Sequence, residues 1–304
     1  MIRYASEKDC DELLKLCLIS LPMKERPFLE FYFKQLFQEG NALISEMDNK
    51  LVSQIHIQKH ILKLKEKRLE VSYLLGIATH YDYRKRGIMR DLMEMVIDDC
   101  SNNHLLTFME ASNPRLFERY GFEVISHRKR YTIYAKDLLK YSNQGVSEAV
   151  HPEELKELYR SFAAHFDCYY DRDEAYYREF MNFAKEKKSH ICVYRDNEGI
   201  PRGYALYDEL DEGIEVKEII YEDRRSLCHL LKYAIGYNPF ISVEVSQAER
   251  LEKIFKMSVP RSFHSVMVRI NDLKLFNKLF NSNVKNTKEF IEQLDKAILI
   301  HEKY

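Results

Sequence analysis

Charge of one sign is missing from this 304-residue sequence: 47 Lys and Arg stand against 48 Asp and Glu, a formal net charge of −1. No bulk field therefore gathers nucleic acid or anionic lipid, and any partner has to be recognised at a local site. No apolar run approaches the roughly 20 residues that cross a bilayer, which speaks against a membrane-spanning role. The six cysteines, at positions 10, 17, 100, 168, 192 and 228, include no CxxC pair, and the opening MIRYASEKD does not resemble a secretory signal. Both observations point to a reduced cytoplasm. Neither a GxxxxGK[ST] loop nor a GxGxxG turn occurs, so nucleoside triphosphate and dinucleotide binding lose their main support. No group of His, Cys, Asp and Glu has ligand spacing, and no metal is expected. What is present is 45% apolar residues and a length beyond what one core usually serves, which predicts two domains.

The pattern predicts an α/β protein with a mixed sheet. Ile2 to Ala5 reads as a strand, and Ser6 can cap a helix whose Leu13, Leu14, Cys17, Leu18 and Leu21 share one face. A second helix is expected over PFLEFYFKQLF. NALISEM and LVSQIHIQKHI alternate about an Asp48-Asn49 turn, a hairpin. Then come the strand LEVSYLLGIAT, the helix GIMRDLMEMVIDDC, the buried-looking strand LLTFMEA and, after a short helix from Arg115 to Tyr120, the alternating run RKRYTIYAK. The polar YSNQG (141 to 145) reads as a linker. The second half repeats this order: aligning Ser226 with Gly87 sets Leu231 opposite Leu92 and Ile235 opposite Val96, PFISVEV matches LLTFMEA, and RSFHSVMVRI matches the closing strand. The plainer alternative is that any α/β domain shows strand, helix, strand in sequence. Domains are expected over 1–140 and 146–270. Residues 271–304 form a tail in which Thr287 can cap a helix with Phe290, Ile291, Leu294 and Ile298 on one face.

The informative junction is YLLGIATHYDYRKRGIMRDLMEMVI. Where a strand runs into a helix, the first turn presents unpaired N–H groups and the positive end of the helix dipole. Gly87 removes the Cβ that would block an anion from those amides, and Arg84, Lys85 and Arg86 add charge and donors. This suits a diphosphate cradle; the alternative is a solvated basic turn whose glycine serves packing.

The run Arg84-Lys85-Arg86-Gly87-Ile88-Met89 resembles the R-x-x-G-x-G/A signature of the GCN5-related N-acetyltransferase superfamily. Met89 departs from it, and with Arg90 following, the turn is more similar to that of the enhanced intracellular survival acetyltransferases, which carry tandem acetyltransferase-like folds. LFERYGFE (116 to 123) matches the family's aromatic-basic-aromatic-glycine segment. The 34 residues after the last strand are too few for the family's third, sterol-carrier-like domain. The resemblance implies an acetyl-CoA-dependent N-acetyltransferase acting on a primary amine of a small molecule or peptide. It implies that Ile77, Ala78 and Thr79 hold the pantetheine arm, that the Arg84 to Ile88 turn binds the pyrophosphate, and that Arg90 and Ser112 contact the cofactor. In the second half Ser226 stands in place of Gly87 with Glu222-Asp223 ahead of it, which would repel a diphosphate. One acetyl-CoA site per chain is expected, with the second half as a wall of the substrate cleft or an oligomer surface.

Acetyl transfer needs a neutral amine, a proton for the departing thiolate and a polarised carbonyl, for which a backbone N–H within Ile77 to Thr79 is a candidate donor. The tyrosine that commonly protonates the thiolate in the family is replaced by Phe117; Tyr120 is a candidate substitute. For the base, the glutamate of histone-type relatives aligns with Tyr73, while Glu70 falls three residues early. The carboxylate of Tyr304 is a further candidate, because survival-type relatives bring their own C-terminus to the site. His80 is a natural proton carrier or a surface loop residue. HRKR (127 to 130) reads as the solvated face of a strand. FDCYYDRDEAYYREF (166 to 180) suits either a cleft for a cationic amine or the core and rim of an amphipathic helix. A protein that keeps the acyl-CoA pocket as a sensor or scaffold is the rival reading, which Phe117 favours.

Overall fold

The computed structural model describes residues 1–21 and 26–300, without the side chains of 263–265. In the first half the elements are β1 (Ile2–Tyr4), α1 (Cys10–Ser20), α2 (Arg26–Phe31) continuing into a π turn over Tyr32–Leu36, β2 (Ala42–Met47), β3 (Lys50–Leu64), β4 (Lys67–Thr79), α3 (Ile88–Asn103), β5 (Leu106–Ala111), α4 (Arg115–Glu118) and β6 (Glu123–Tyr134). The second half holds β7 (Val146–Ser147), α5 (Pro152–Ala163), β8 (Cys168–Tyr170), α6 (Glu174–Lys187), β9 (His190–Arg195), β10 (Pro201–Leu210), β11 (Gly213–Tyr221), α7 (Arg224–Ile235), β12 (Phe240–Ser246) and β13 (Arg261–Ile270). The tail adds α8 (Leu273–Phe280), α9 (Thr287–Glu292) and β14 (Ile298–Leu299). Among the described residues no helix is long and apolar enough to cross a membrane.

Local chemistry places most of these elements. Asp48 and Asn49 both take left-handed backbone, φ 51° and 58°, the geometry whose twist suits a two-residue hairpin. That turn joins β2 to β3 antiparallel. On α3, Leu92, Met93, Val96 and Cys100 recur at helical spacing and are buried against Leu43, Ile55, Leu74 and Met109 of the sheet. Each large apolar side chain so buried contributes about 1.5–3 kcal/mol. On the opposite face of the first half lies the tail: Phe276 and Phe290 pack against Leu62, Val71, Phe108 and Val268. The tail helix is shorter than its apolar spacing predicts. Asn286, not Thr287, caps it, accepting from the Glu289 N–H, and α9 stops at Glu292. Ile298 instead enters β14, which pairs parallel with β8.

The strands form one mixed sheet in the order β1-β2-β3-β4-β5-β13-β6-β12-β11-β10-β9-β7, with β8 and β14 attached beside β3. The second half does repeat the first: β11 runs parallel to β12 with α7 between them in sequence, as β4 runs parallel to β5 through α3. The closing strands, however, are exchanged. β13 lies against β5 of the first half, β6 lies against β12 of the second, and β6 pairs antiparallel with β13 at the centre. Each fifth strand offers an open edge, and two alternating strands of similar length can satisfy either one, so the exchange costs no backbone hydrogen bonds. Its consequence is that the face of β6 and β12 borders the site of the first half.

Candidate active site

β4 and β5 pair in register from Ser72 opposite Thr107 to Leu74 opposite Met109 and then part. On its other side β4 is bulged: Leu75 faces His56 and Ala78 faces Gln54, so Gly76 and Ile77 together oppose Ile55. Gly76 makes the bulge with φ +59°, where a Cβ would fall 2.8 Å from the His56 ring. That ring cannot retreat. It is fully buried, wedged edge-on against Tyr32, Phe33 and Phe37, and hydrogen-bonded to the Tyr32 hydroxyl at 3.1 Å. Burial pushes the His56 imidazole down to about 3, so it stays neutral. Gly76→Ala should therefore cost about 2–4 kcal/mol, from left-handed strain and overpacking together. It should also lower turnover by moving the Ile77 amide. A melt paired with a rate assay checks both, and wild-type behaviour in each would refute this account of the bulge.

The fork opens into a cavity of about 850 Å³, within the range of small-molecule sites. Ile77, Ala78 and Thr79 line it, as do Arg84, Lys85, Gly87, Ile88 and Arg90 at its mouth and Ser112 on the β5 side. Arg86 does not: its guanidinium donates to the Asp82 carbonyl at 2.9 Å and lies over the Tyr83 ring. Arg84 donates to the Thr79 carbonyl at 3.0 Å, tying the basic turn to the end of β4. Lys85 and Gly87 both adopt left-handed backbone, φ 63° and 82°. Gly87 is the N-cap of α3 and brings no side chain to its amides. Helix dipole, bare N–H groups and basic side chains thus meet at one corner.

The matching corner of the second half is closed. Ser226 is buried, and the Asp223 carboxylate caps α7 by accepting from the Ser226 N–H at 2.8 Å. β11 and β12 also part, after Val216 and Val243. Side chains fill that second fork: Phe162, Glu218, Val245, Glu249 and Leu299 of the tail leave a gap of about 20 Å³, room for one water.

Of the residues put forward for the chemistry, Tyr73 lines the cavity floor where the fork begins, with its ring edge-on to His60 at 5.5 Å. Phe117 also lines it. Tyr120 does not; it is half-buried against the α3 core, with Arg90, Asp91 and Glu94 of that helix as its charged neighbours, and burial raises its pKa. The turn does carry Tyr120 one step round from Phe117, its N–H donating to the Phe117 carbonyl at 3.0 Å, but the Tyr120 ring packs on the α3 side, and Phe117 rather than Tyr120 lines the cavity. Tyr304 lies outside the described residues. Glu70 is bound to His104 at 2.8 Å, away from the cavity, and His80 stacks on Tyr81 in the loop.

Other residues enter that sequence reasoning did not select. Glu110, the first β5 residue beyond the paired stretch, lines the cavity at the fork. Its signal was a lone carboxylate in an otherwise apolar strand. Arg128 and Arg130, read from sequence as a solvated face, line the cavity instead, because the exchanged β6 carries them beside Glu244 of β12. Arg128 is buried and ion-paired with Glu244 at 3.3 Å. The Tyr-rich segment is mostly core: Tyr170 and Tyr177 are buried, and α6 reaches the cavity only through Phe183 and Lys187.

A parallel fork beside an uncapped helix end and a basic turn makes a corner suited to an anionic group, opening on a cleft long enough for an extended ligand. Family models described as acetyltransferase (GNAT) domain match residues 1–125 and, separately, 168–270. The chain belongs to the GNAT acetyltransferases and carries two such domains in tandem. Similar solved structures include a conserved Enterococcus faecalis V583 protein of unknown function for which an N-acyltransferase role has been suggested. It is 17% identical with a TM-score of 0.74, over 91% of this chain and 74% of that one. A GCN5-related N-acetyltransferase from Anabaena variabilis is 15% identical with a TM-score of 0.72, over 90% and 74%. Eis1 from Mycobacterium abscessus is 14% identical with a TM-score of 0.66, over 90% and 75%. At these identities the likeness is one of fold. No match to the chain is found among curated proteins.

Proposed function

We propose that the protein is an N-acetyltransferase that moves an acetyl group from acetyl-CoA directly to a primary amine, with one site per chain. The observation that carries this reading is the contrast between the two forks: one ends at a helix N-terminus bare of side chains and opens into a large cavity, the other is capped by Asp223 and plugged. The diphosphate sits on the Arg84 to Ile88 turn with Arg90 in reach, and the pantetheine arm runs along the unpaired edge of Ile77 to Thr79 near Ser112. An amide of that edge polarises the thioester carbonyl, a contribution of about 3 kcal/mol per donor. The Glu110 carboxylate takes a proton from the acceptor ammonium, directly or through a water. The freed lone pair attacks the carbonyl carbon, the C–N bond forms as the C–S bond breaks, and the thiolate leaves with a proton for which Tyr73 at the fork is a candidate donor, the second proton lost by the nitrogen going to solvent or back to that donor. Phe117 supplies bulk and no proton.

Calorimetry with acetyl-CoA, run beside an assay for free thiol in the presence of primary amines, tests the proposal. One binding site per chain and amine-dependent thiol release are expected. Two equivalent sites, or none, overturn it. Binding without release from any amine favours the second reading, an acyl-CoA sensor or scaffold, for which the replacement at Phe117 is the specific support.

A further inference from the structure

The cavity has a second arm, beyond the stretch assigned to the cofactor. It opens at the inner end of the fork, away from the basic turn: Gln58 of β3 stands opposite Tyr73 of β4, whereas Thr79, next to that turn, stands opposite Ser53. Gln58 and Ser20 line the arm together with Leu21, Phe28 and Leu29 of the first half and Phe183 of α6. The wall between the halves is braced, since Phe31 meets the Phe183 ring edge-on at 4.9 Å and Lys34 pairs with Glu186 at 3.0 Å. Two neutral polar groups interrupt this apolar lining. The Ser20 hydroxyl is buried without a hydrogen-bond partner among the described residues, and the Gln58 amide makes no hydrogen bond to another described residue. A buried hydroxyl left unpaired is costly, and a ligand that pairs with it relieves the cost. Gln58 brings both donors and an acceptor. The ions on the facing side of the cavity alternate in sign and hold one another: Arg130 pairs with Glu215 and Glu244, Lys217 with Glu215 and Asp208, and Lys187 with Asp208. The face of Phe183 that would attract a cation already carries Lys187, 5.9 Å from the ring centre.

We propose, resting on the acetyltransferase reading, that the acceptor is a hydrophobic primary amine. Its nitrogen meets the thioester at the fork, its uncharged aryl or branched-alkyl body fills the arm between Phe28, Leu29 and Phe183, and a neutral amide or hydroxyl beside the nitrogen pairs with Gln58 and Ser20. Gln58 is then a specificity-determining residue. A cationic group carried into the arm would lose its hydration against rings and methyl groups, with Lys187 beside it, which disfavours polyamines and basic side chains.

Alaninamide, phenylalaninamide and argininamide test this, because they share the α-amine and the amide and differ in a side chain that is small, apolar or cationic. With saturating acetyl-CoA, kcat/KM from thiol release should favour phenylalaninamide over alaninamide by about tenfold or more, what burial of one aromatic ring supplies. Argininamide should fall at or below alaninamide. Phe28→Ser should reduce the preference for phenylalaninamide to about twofold while the calorimetric affinity for acetyl-CoA stays as in the wild type. Gln58→Leu, a change of similar volume, is the second variant should the first not fold; it should cut the ratio of phenylalaninamide to phenethylamine, which has the ring and no amide, about fivefold, the loss of one neutral hydrogen bond. A general loss of structure would lower every amine together and leave these ratios unmoved. Equal use of alaninamide and phenylalaninamide, a preference for argininamide, ratios unmoved in both variants, or no release from phenylalaninamide while another amine is acetylated overturns the inference. Failure of acetyl-CoA to bind, or binding with no release from any amine, is a different result and overturns the acetyltransferase reading.

Discussion

Replacing Gly87 by glutamate is expected to weaken acetyl-CoA binding at least a hundredfold, about 2.7 kcal/mol. Two terms add. A carboxylate placed about 4 Å from a diphosphate charge costs roughly 4 kcal/mol at the effective dielectric of a protein surface. A side chain at φ +82° strains the N-cap, and its Cβ would fall 3.0 Å from the Arg90 guanidinium. Left-handed strain alone is about 1–2 kcal/mol. Gly87→Ala separates the terms, since it keeps the strain and omits the charge, and its loss of affinity should be clearly smaller. Calorimetry reads the affinity and a thermal melt reads the strain. An unchanged acetyl-CoA affinity in Gly87→Glu would move the diphosphate elsewhere and remove the support for every assignment at the mouth of the cavity.

The largest effect on stability is expected at Arg172. Its guanidinium is buried, donates to both oxygens of the equally buried Glu218 at 2.9 and 3.0 Å, and is sandwiched between the rings of Tyr159 and Tyr176 at 4.2 and 4.7 Å. Burial opposes this charge, and attraction to Glu218 and the neighbouring tyrosines overcomes it, so its pKa is raised. Arg172→Met leaves a carboxylate in the core without its counter-charge, although the Tyr204 hydroxyl still donates to it at 2.6 Å. A loss of about 3–5 kcal/mol should follow. Changing Glu218→Leu in the same chain should recover most of it, because removing both charges also removes the desolvation cost of each. Denaturant unfolding of the two variants decides. If Arg172→Met alone costs under 1 kcal/mol, the pair is not the polar core of the second half.

How much of this was legible in the linear chain differs from element to element. Gly87 and its basic flank could be read directly, because a glycine at a strand-to-helix junction acts through its own backbone and needs no distant partner. The closure of the second corner was readable for the same reason, from Asp223 and Ser226 three residues apart. Arg128 and Arg130 could not be read: their alternation with Tyr131 and Ile133 places them on one face of a strand, and the chain does not say what that face meets. Tyr120 keeps the one-turn spacing from Phe117 but lies outside the cavity lining, because spacing does not say on which side of the turn a cavity opens, and Ile298 was misplaced because an apolar residue at helical spacing is equally at home in a strand. Gly76 drew no attention from sequence, since only the His56 ring behind it makes a Cβ intolerable there.

By itself the sequence determined the local grammar of the protein: two strand-helix-strand units in tandem, a helix start bare of side chains and flanked by basic residues in the first and a side-chain-capped one in the second. These follow from propensity, capping and backbone freedom, which act over a few residues. The tertiary structure alone decided that β6 and β13 change places, that the tail packs beneath the first half, and that an alternating row of charges from the second half floors the cavity of the first. Those outcomes depend on which open sheet edge each strand reaches, a choice between nearly equal hydrogen-bonding surfaces that only the packing of the whole chain settles.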